Sequence, residues 1–383
     1  MATRARGIGG VIVAAGVLAS VACERRADGE VPPVTLSADF GPEWAVVEDY
    51  SAAQSSASDG ALLEASTSRP DASRAIAAAL AILETGGAHA KTVEAAEFLI
   101  LQVDLNGGGE ADQHVSAGAR ALLQHAPGYG EWPKVLNRLH HRRALGPAVD
   151  AFFEDLASGA GDPALRATGQ YYVAAGLMRS ANALLGATAD AEDLRHRALE
   201  AAAGLSAGVE QDPFLGIIPN RRSSEPVTLA EAEADLIRSI QHGTVAGTLP
   251  DLLGARLDGV EERLSSYRGR TVLLDFWATW CPPCRTALPK LRELVAELPA
   301  DRFALIAISV DEEREIVTSF LAEEPMPWTN WHAGPESEIA QLLRVSFFPT
   351  YVLSDEHGQV LARSNDLEEL RPLIDEVLTS KEG

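Results

Sequence analysis

Leu274-Asp275-Phe276-Trp277-Ala278-Thr279-Trp280-Cys281-Pro282-Pro283-Cys284 is the stretch on which the reading of this 383-residue chain turns. It begins inside Thr271-Val272-Leu273-Leu274-Asp275-Phe276-Trp277, an apolar run of the length and β-forming composition of a buried strand. Beyond Trp280 the pattern becomes helical, and residues 282–298 read as one helix. Pro282 is tolerated at its first position, where a backbone N–H would have no intrahelical partner. Cys281 and Cys284 therefore fall at a strand–helix junction, one helical turn apart. Cys23 is the only other cysteine, so no disulfide framework can be built. A CxxC also occurs in zinc sites, but no second CxxC or nearby Cys/His pair completes four ligands, and no metal is expected.

Outward from this junction, strands alternate with helices from about residue 246. Phe303–Ser309 is a second apolar strand, followed by helices near 312–323 and 336–344. Pro349–Leu353 and Gln359–Ala362 flank a turn at Asp355–Gly358, a hairpin pattern, and residues 366–379 close the chain as a helix.

These residues resemble the thioredoxin superfamily, in particular its membrane-tethered TlpA/ResA-like branch. The resemblance rests on Leu274–Cys284, with Leu249-Pro250-Asp251, Tyr267–Arg270, Ser309-Val310-Asp311 and Phe348-Pro349-Thr350 at corresponding places, and covers residues 246–380. It implies a central mixed sheet flanked by helices, with thiol–disulfide exchange as the chemistry. Cys281, at a helix start, is expected to be the attacking sulfur, because free N–H groups and the positive helix end favour a thiolate. Such settings lower a thiol pKa from about 8.5 to between about 3.5 and 7.5. Cys284 would resolve the mixed disulfide and is expected to be the more buried of the two. The Cys281–Cys284 disulfide is itself the redox group, so no separate cofactor is expected.

The resemblance assigns further roles. Trp280 shields the pair from one side, while Pro282 and Pro283 shape the motif. Pro349 matches the cis-proline that faces the cysteines and would offer the backbone at Phe348 to an extended substrate segment. The bulk of Phe347 and Phe348 departs from the small residues usual there. Asp275, six residues before Cys281, matches the buried acid of thioredoxin and would exchange a proton with Cys284. The glutamate that the TlpA/ResA-like branch often carries three residues after its second cysteine is Ala287 in this chain.

At the other end, Arg4 and Arg6 precede an apolar run from Ile8 to Ala22, short for a membrane span and typical of a signal peptide over residues 1–23. Because the run stops at Cys23, it resembles a bacterial lipoprotein signal with Cys23 as the lipidated residue. An ordinary signal peptide cut near Ala22 is the alternative. Residues 24–70 are rich in Ser, Ala, Asp and Pro and read as a flexible tether. Residues 71–242 turn to Ala, Leu and Glu, with eight candidate helices at 71–84, 91–104, 111–124, 131–144, 147–157, 163–185, 190–204 and 228–241. Asp71 and Asp162 are candidate N-caps. Helix pairs of this length suggest an all-α helical-hairpin domain, loosely TPR-like but without a regular 34-residue period.

A formal net charge of −23 argues against nucleic acid, and against anionic membranes unless an anchor is present. The expected protein is thus an extracytoplasmic enzyme, anchored by lipid at the periplasmic side. Its partners would be protein thiols or disulfides and a redox partner. Two alternatives stay open. One is a helical adaptor with an accessory redox domain. The other is a peroxiredoxin-like thiol peroxidase, although the Trp280–Cys284 motif has the disulfide-exchange form.

Overall fold

The computed structural model describes residues 44–51, 73–85, 90–101, 109–142, 147–218, 226–335 and 337–379. The helical half consists of α1 (44–51), α2 (Ser73–Thr85), α3 (Ala90–Leu101), α4 (Gly109–His125), α5 (Trp132–Arg142), α6 (Pro147–Gly159), α7 (Pro163–Asn182), α8 (Ala189–Ala202) and α9 (Leu229–Gly243). All eight expected helices form, with ends displaced by a few residues. Asp162 caps α7 as expected, accepting from Leu165 N at 3.0 Å with Pro163 at the first helical position. Thr228 and Glu231 close a reciprocal capping box on α9. Asp71 lies outside the described residues.

The tether expected over 24–70 is corrected by α1. Val47 is buried in a cluster with Ala75, Ala79 and Ile82 of α2 and Phe98 and Leu99 of α3. Tyr50 meets Phe98 edge-on at 5.8 Å, and Lys91 lies 4.1 Å from the Trp44 ring centre. A Ser/Ala-rich composition hid a segment whose few large side chains, Trp44, Val47 and Tyr50, are spaced to share one helix face.

The C-terminal half contains β1 (Leu253–Ala255), β2 (Glu261–Arg263), a 3₁₀ turn (Leu264–Tyr267), β3 (Thr271–Trp277), α10 (Pro282–Glu297), β4 (Phe303–Ser309), α11 (Arg314–Glu323), β5 (Thr329–His332), α12 (Glu338–Leu342), β6 (Thr350–Ser354), β7 (Val360–Ser364) and α13 (Leu367–Thr379). Five strands form one mixed sheet in the order β5-β4-β3-β6-β7, parallel across β5, β4 and β3 and antiparallel from β3 through β7. β3 and β4 are buried along their whole length, as their continuous apolar runs require. One sheet face, carrying Leu273, Trp277, Leu305 and Leu353, packs under α10 and α13. The other, carrying Val272, Leu274, Phe276 and Ile306, is covered by α12, by residues 245–267 and by Ala191 of α8.

Candidate active site

The path from β3 into α10 sets the site. Ala278 and Thr279 leave the sheet, and Cys281 N donates to Ala278 O at 3.2 Å, turning the chain sharply. Cys281 is the N-cap of α10, and Pro282 and Pro283 fill the next two positions. Neither proline has an N–H, so the first N–H the helix offers is that of Cys284, which points at Cys281 Sγ from 3.3 Å. Cys281 and Cys284 are joined as a disulfide with Cα atoms 5.3 Å apart. In this form both are buried, at 3% and 2% exposure, so the expected difference in burial is small.

Two flanking elements are held by hydrogen bonds. Before the motif, the Asp311 carboxylate accepts from Thr279 N at 3.0 Å, from Thr279 Oγ1 at 2.6 Å and from Ser309 Oγ at 2.7 Å. His332 Nε2 lies 2.9 Å from Asp311 O. Just before β6, the Phe348–Pro349 peptide is cis, as the resemblance implied. Asn365 Nδ2 donates to Pro349 O at 2.6 Å, and Thr350 Oγ1 donates to Phe347 O at 2.7 Å. The structural work of Asp311 and Asn365 went unread in the sequence. Asp311 belongs to a triplet already matched to the family, so its buried position could have been inferred; nothing local marks Asn365.

An aromatic rim surrounds the pair. Trp280 is 60% exposed and meets Phe348 edge-on at 5.9 Å, while Phe347 is 73% exposed. Such an apolar surface beside a reactive group is suited to contact with another chain.

Asp275 lies in β3, the strand that leads into the disulfide. It alternates with Leu273 and Trp277, which pack in the same cluster as the cysteines, so it shares their face of the sheet. Its neighbours across the strands are Ala307 on β4 and Tyr351 on β6. Asp275 Oδ1 and the Tyr351 hydroxyl are both buried without a protein partner. With no cation beside it, burial alone pushes the Asp275 carboxyl up from 3.8 to about 7. Burial, then the nearby Asp275 and Asp366, push the Tyr351 hydroxyl upward as well. Ala287, where the branch often has an acid, is only half-buried on α10. Cys23 lies outside the described residues.

A mixed sheet with a CxxC capping the helix after its central strand, and a cis-proline leading into the antiparallel neighbour of that strand, defines a thioredoxin-like domain. Residues 245–365, less than half of the chain, match the AhpC/TSA family model. This domain is therefore similar to the AhpC/TSA family, and thiol–disulfide oxidoreductases of ResA type are among the proteins it resembles. The ResA of Geobacillus kaustophilus is 32% identical over 116 residues, covering 30% of this chain and 66% of that protein. The ResA of Oceanobacillus iheyensis is 28% identical over 108 residues, covering 28% and 56%. The chain thus spans just under two thirds, or less, of these relatives. A solved thiol-disulfide oxidoreductase from Bacteroides fragilis is 29% identical, covering 34% of this chain and 98% of that one, with a TM-score of 0.32.

Proposed function

We propose that this chain is a thiol–disulfide oxidoreductase acting on protein substrates outside the cytoplasm, attached to a membrane through a lipid on Cys23. One observation carries the reading: the Cys281–Cys284 pair caps α10, with the Cys284 N–H aimed at Cys281 Sγ and Phe348, next to the cis bond, meeting Trp280 of the motif. In the reduced enzyme the same N–H would stabilise a Cys281 thiolate. That thiolate attacks one sulfur of a substrate disulfide, forming a Cys281–substrate bond and expelling the other substrate sulfur as a thiolate. Cys284, after losing its proton, attacks Cys281 Sγ, restores the intramolecular disulfide and releases the second substrate thiol. Two electrons pass from the cysteine pair to the substrate, and a dithiol donor would return them. Asp275 is the proton acceptor for Cys284, through water, because its near-neutral pKa suits transfer at physiological pH. The cysteine pair is the only redox group this scheme needs. The helical half, read as an array of helical hairpins, is a support for the redox domain.

Insulin reduction tests the activity. The wild-type chain is expected to precipitate the insulin B chain in the presence of dithiothreitol, and Cys281→Ser to lose this by more than about a hundredfold, as removal of a nucleophile does. Retained turnover would overturn the assignment. The anchor has its own test. Cys23→Ser is expected to move the protein from the membrane fraction to the soluble extracytoplasmic fraction, and unchanged membrane association would exclude lipidation at Cys23.

A further inference from the structure

The loop between α12 and β6 carries Phe347, Phe348 and Pro349, and its first residues do not rest on the redox domain alone. Arg344 has a left-handed backbone, with φ of 47°, a conformation side chains other than glycine adopt only when their surroundings hold them there. Its side chain is 6% exposed and leaves its own domain. One guanidinium nitrogen donates to the Tyr171 hydroxyl of α7 at 2.7 Å, and another to Asp235 Oδ2 of α9 at 2.9 Å. The guanidinium also lies 5.5 Å from the Tyr171 ring centre. On either side of Arg344, Leu343 and Val345 are fully buried.

The neighbouring contacts press in the same direction. A side chain at Gly243, the last residue of α9, would come within 3.0 Å of Leu342 O and 3.1 Å of Leu343 Cα, so helix and loop are in close backbone contact. Arg363 of β7, half-buried, donates to Gly243 O. Two arginines thus meet at one seam, and Asp235 supplies the carboxylate that contacts Arg344. At its far end the loop is tied by Asn365 to Pro349 O. The Arg344–Pro349 segment is thus held at its start by two helices of the other domain and at its end by Asn365 of its own.

We propose that Asp235 and Tyr171 are positioning residues for protein substrates, holding through Arg344 the Phe348 main chain against which an extended substrate segment pairs. This rests on the function proposed above. The helical domain then shapes the active site through this loop rather than acting as a separate module.

The test uses the full chain with Asp235→Asn and, separately, Tyr171→Phe, which keeps the ring packed against Phe214 and Tyr172. Insulin reduction is measured well below each variant's thermal midpoint, and reduction of the Cys281–Cys284 disulfide by dithiothreitol is followed in parallel. The expected result is a KM for insulin raised about fivefold or more in Asp235→Asn, and less in Tyr171→Phe, with kcat changed by less than about twofold. The dithiothreitol rate should be unchanged, since a small thiol needs no paired backbone. A merely structural seam would lower the thermal midpoint and leave KM alone, and that result overturns the proposal. If Asp235→Asn does not fold, the KM of Tyr171→Phe decides. A wild-type chain that exchanges with dithiothreitol but fails on insulin overturns the protein-substrate reading, and this proposal with it.

Discussion

Asp275 and Asp311 are both buried on the redox domain, and their hydrogen bonding separates them. Asp311 accepts from Thr279 and Ser309, so its charge is compensated and its task is to hold the turn into the cysteines. Asp275 Oδ1 has no protein partner, and its strand neighbours are an alanine and a tyrosine. The sign of the pH effect follows. With a folded pKa of about 7 against 3.8, the native state keeps a proton that the unfolded chain releases, so stability falls as pH rises through this window. Asp275→Asn removes the cost of ionisation. It should stabilise the oxidised protein by roughly 2–4 kcal/mol at pH 8, with the gain vanishing near pH 4. Urea denaturation at both pH values measures it, and a gain independent of pH would exclude Asp275 as the titrating group.

At the scale of elements, β3 and α10 were legible because their signals are local. A continuous apolar run defines the strand, two prolines mark the helix start, and the cysteines lie between them. Strands β1, β2 and β5 were not read, being three or four residues long with mixed burial. Their stability comes from contacts across the chain. Gly254 of β1 lies flat against the Trp331 ring of β5, leaving no room for a Cβ. Trp331 Nε1 donates to Glu262 of β2 at 3.2 Å, and Tyr267 bonds both Glu262 and Thr329. This hairpin packs on an edge strand that would otherwise present its tryptophan to water. Gly254→Ala should therefore destabilise the protein by about 1–3 kcal/mol through overpacking, read as a lowered thermal midpoint. An unchanged midpoint would mean the hairpin is dispensable.

Across the whole molecule, the two halves share structure instead of merely following one another. Residues 245–249 pair with the β7 edge through Ala246 N to Val360 O and Leu249 N to Gly358 O. Gly186, just after α7, donates to Leu361 O, and Asn182 accepts from Val245 N at 2.9 Å. Ala191, with Leu184 and Ala187 against it, completes the core on the second sheet face. The boundary between an all-helical and an α/β half was visible as a change of periodicity near residue 246. That the halves pack into one seam was not, and the loss expected on Asp235→Asn belongs to this scale.

Amino-acid order alone determined the strand–CxxC–helix junction and the helices on both sides of residue 246, while the cis bond at Pro349 and the disulfide partner of Cys281 followed from the family resemblance. Each rests on periodicity, capping or spacing within a few residues, or on a motif that carries its own geometry. Tertiary structure decided that Asp275 is uncompensated, that α1 belongs to the helical core, and that Arg344 reaches Tyr171 and Asp235, 173 and 109 positions away. The physical reason is that a charged or polar side chain has many acceptable partners in sequence. Only the packing of sheet and helices, by excluding water, selects which of them it meets.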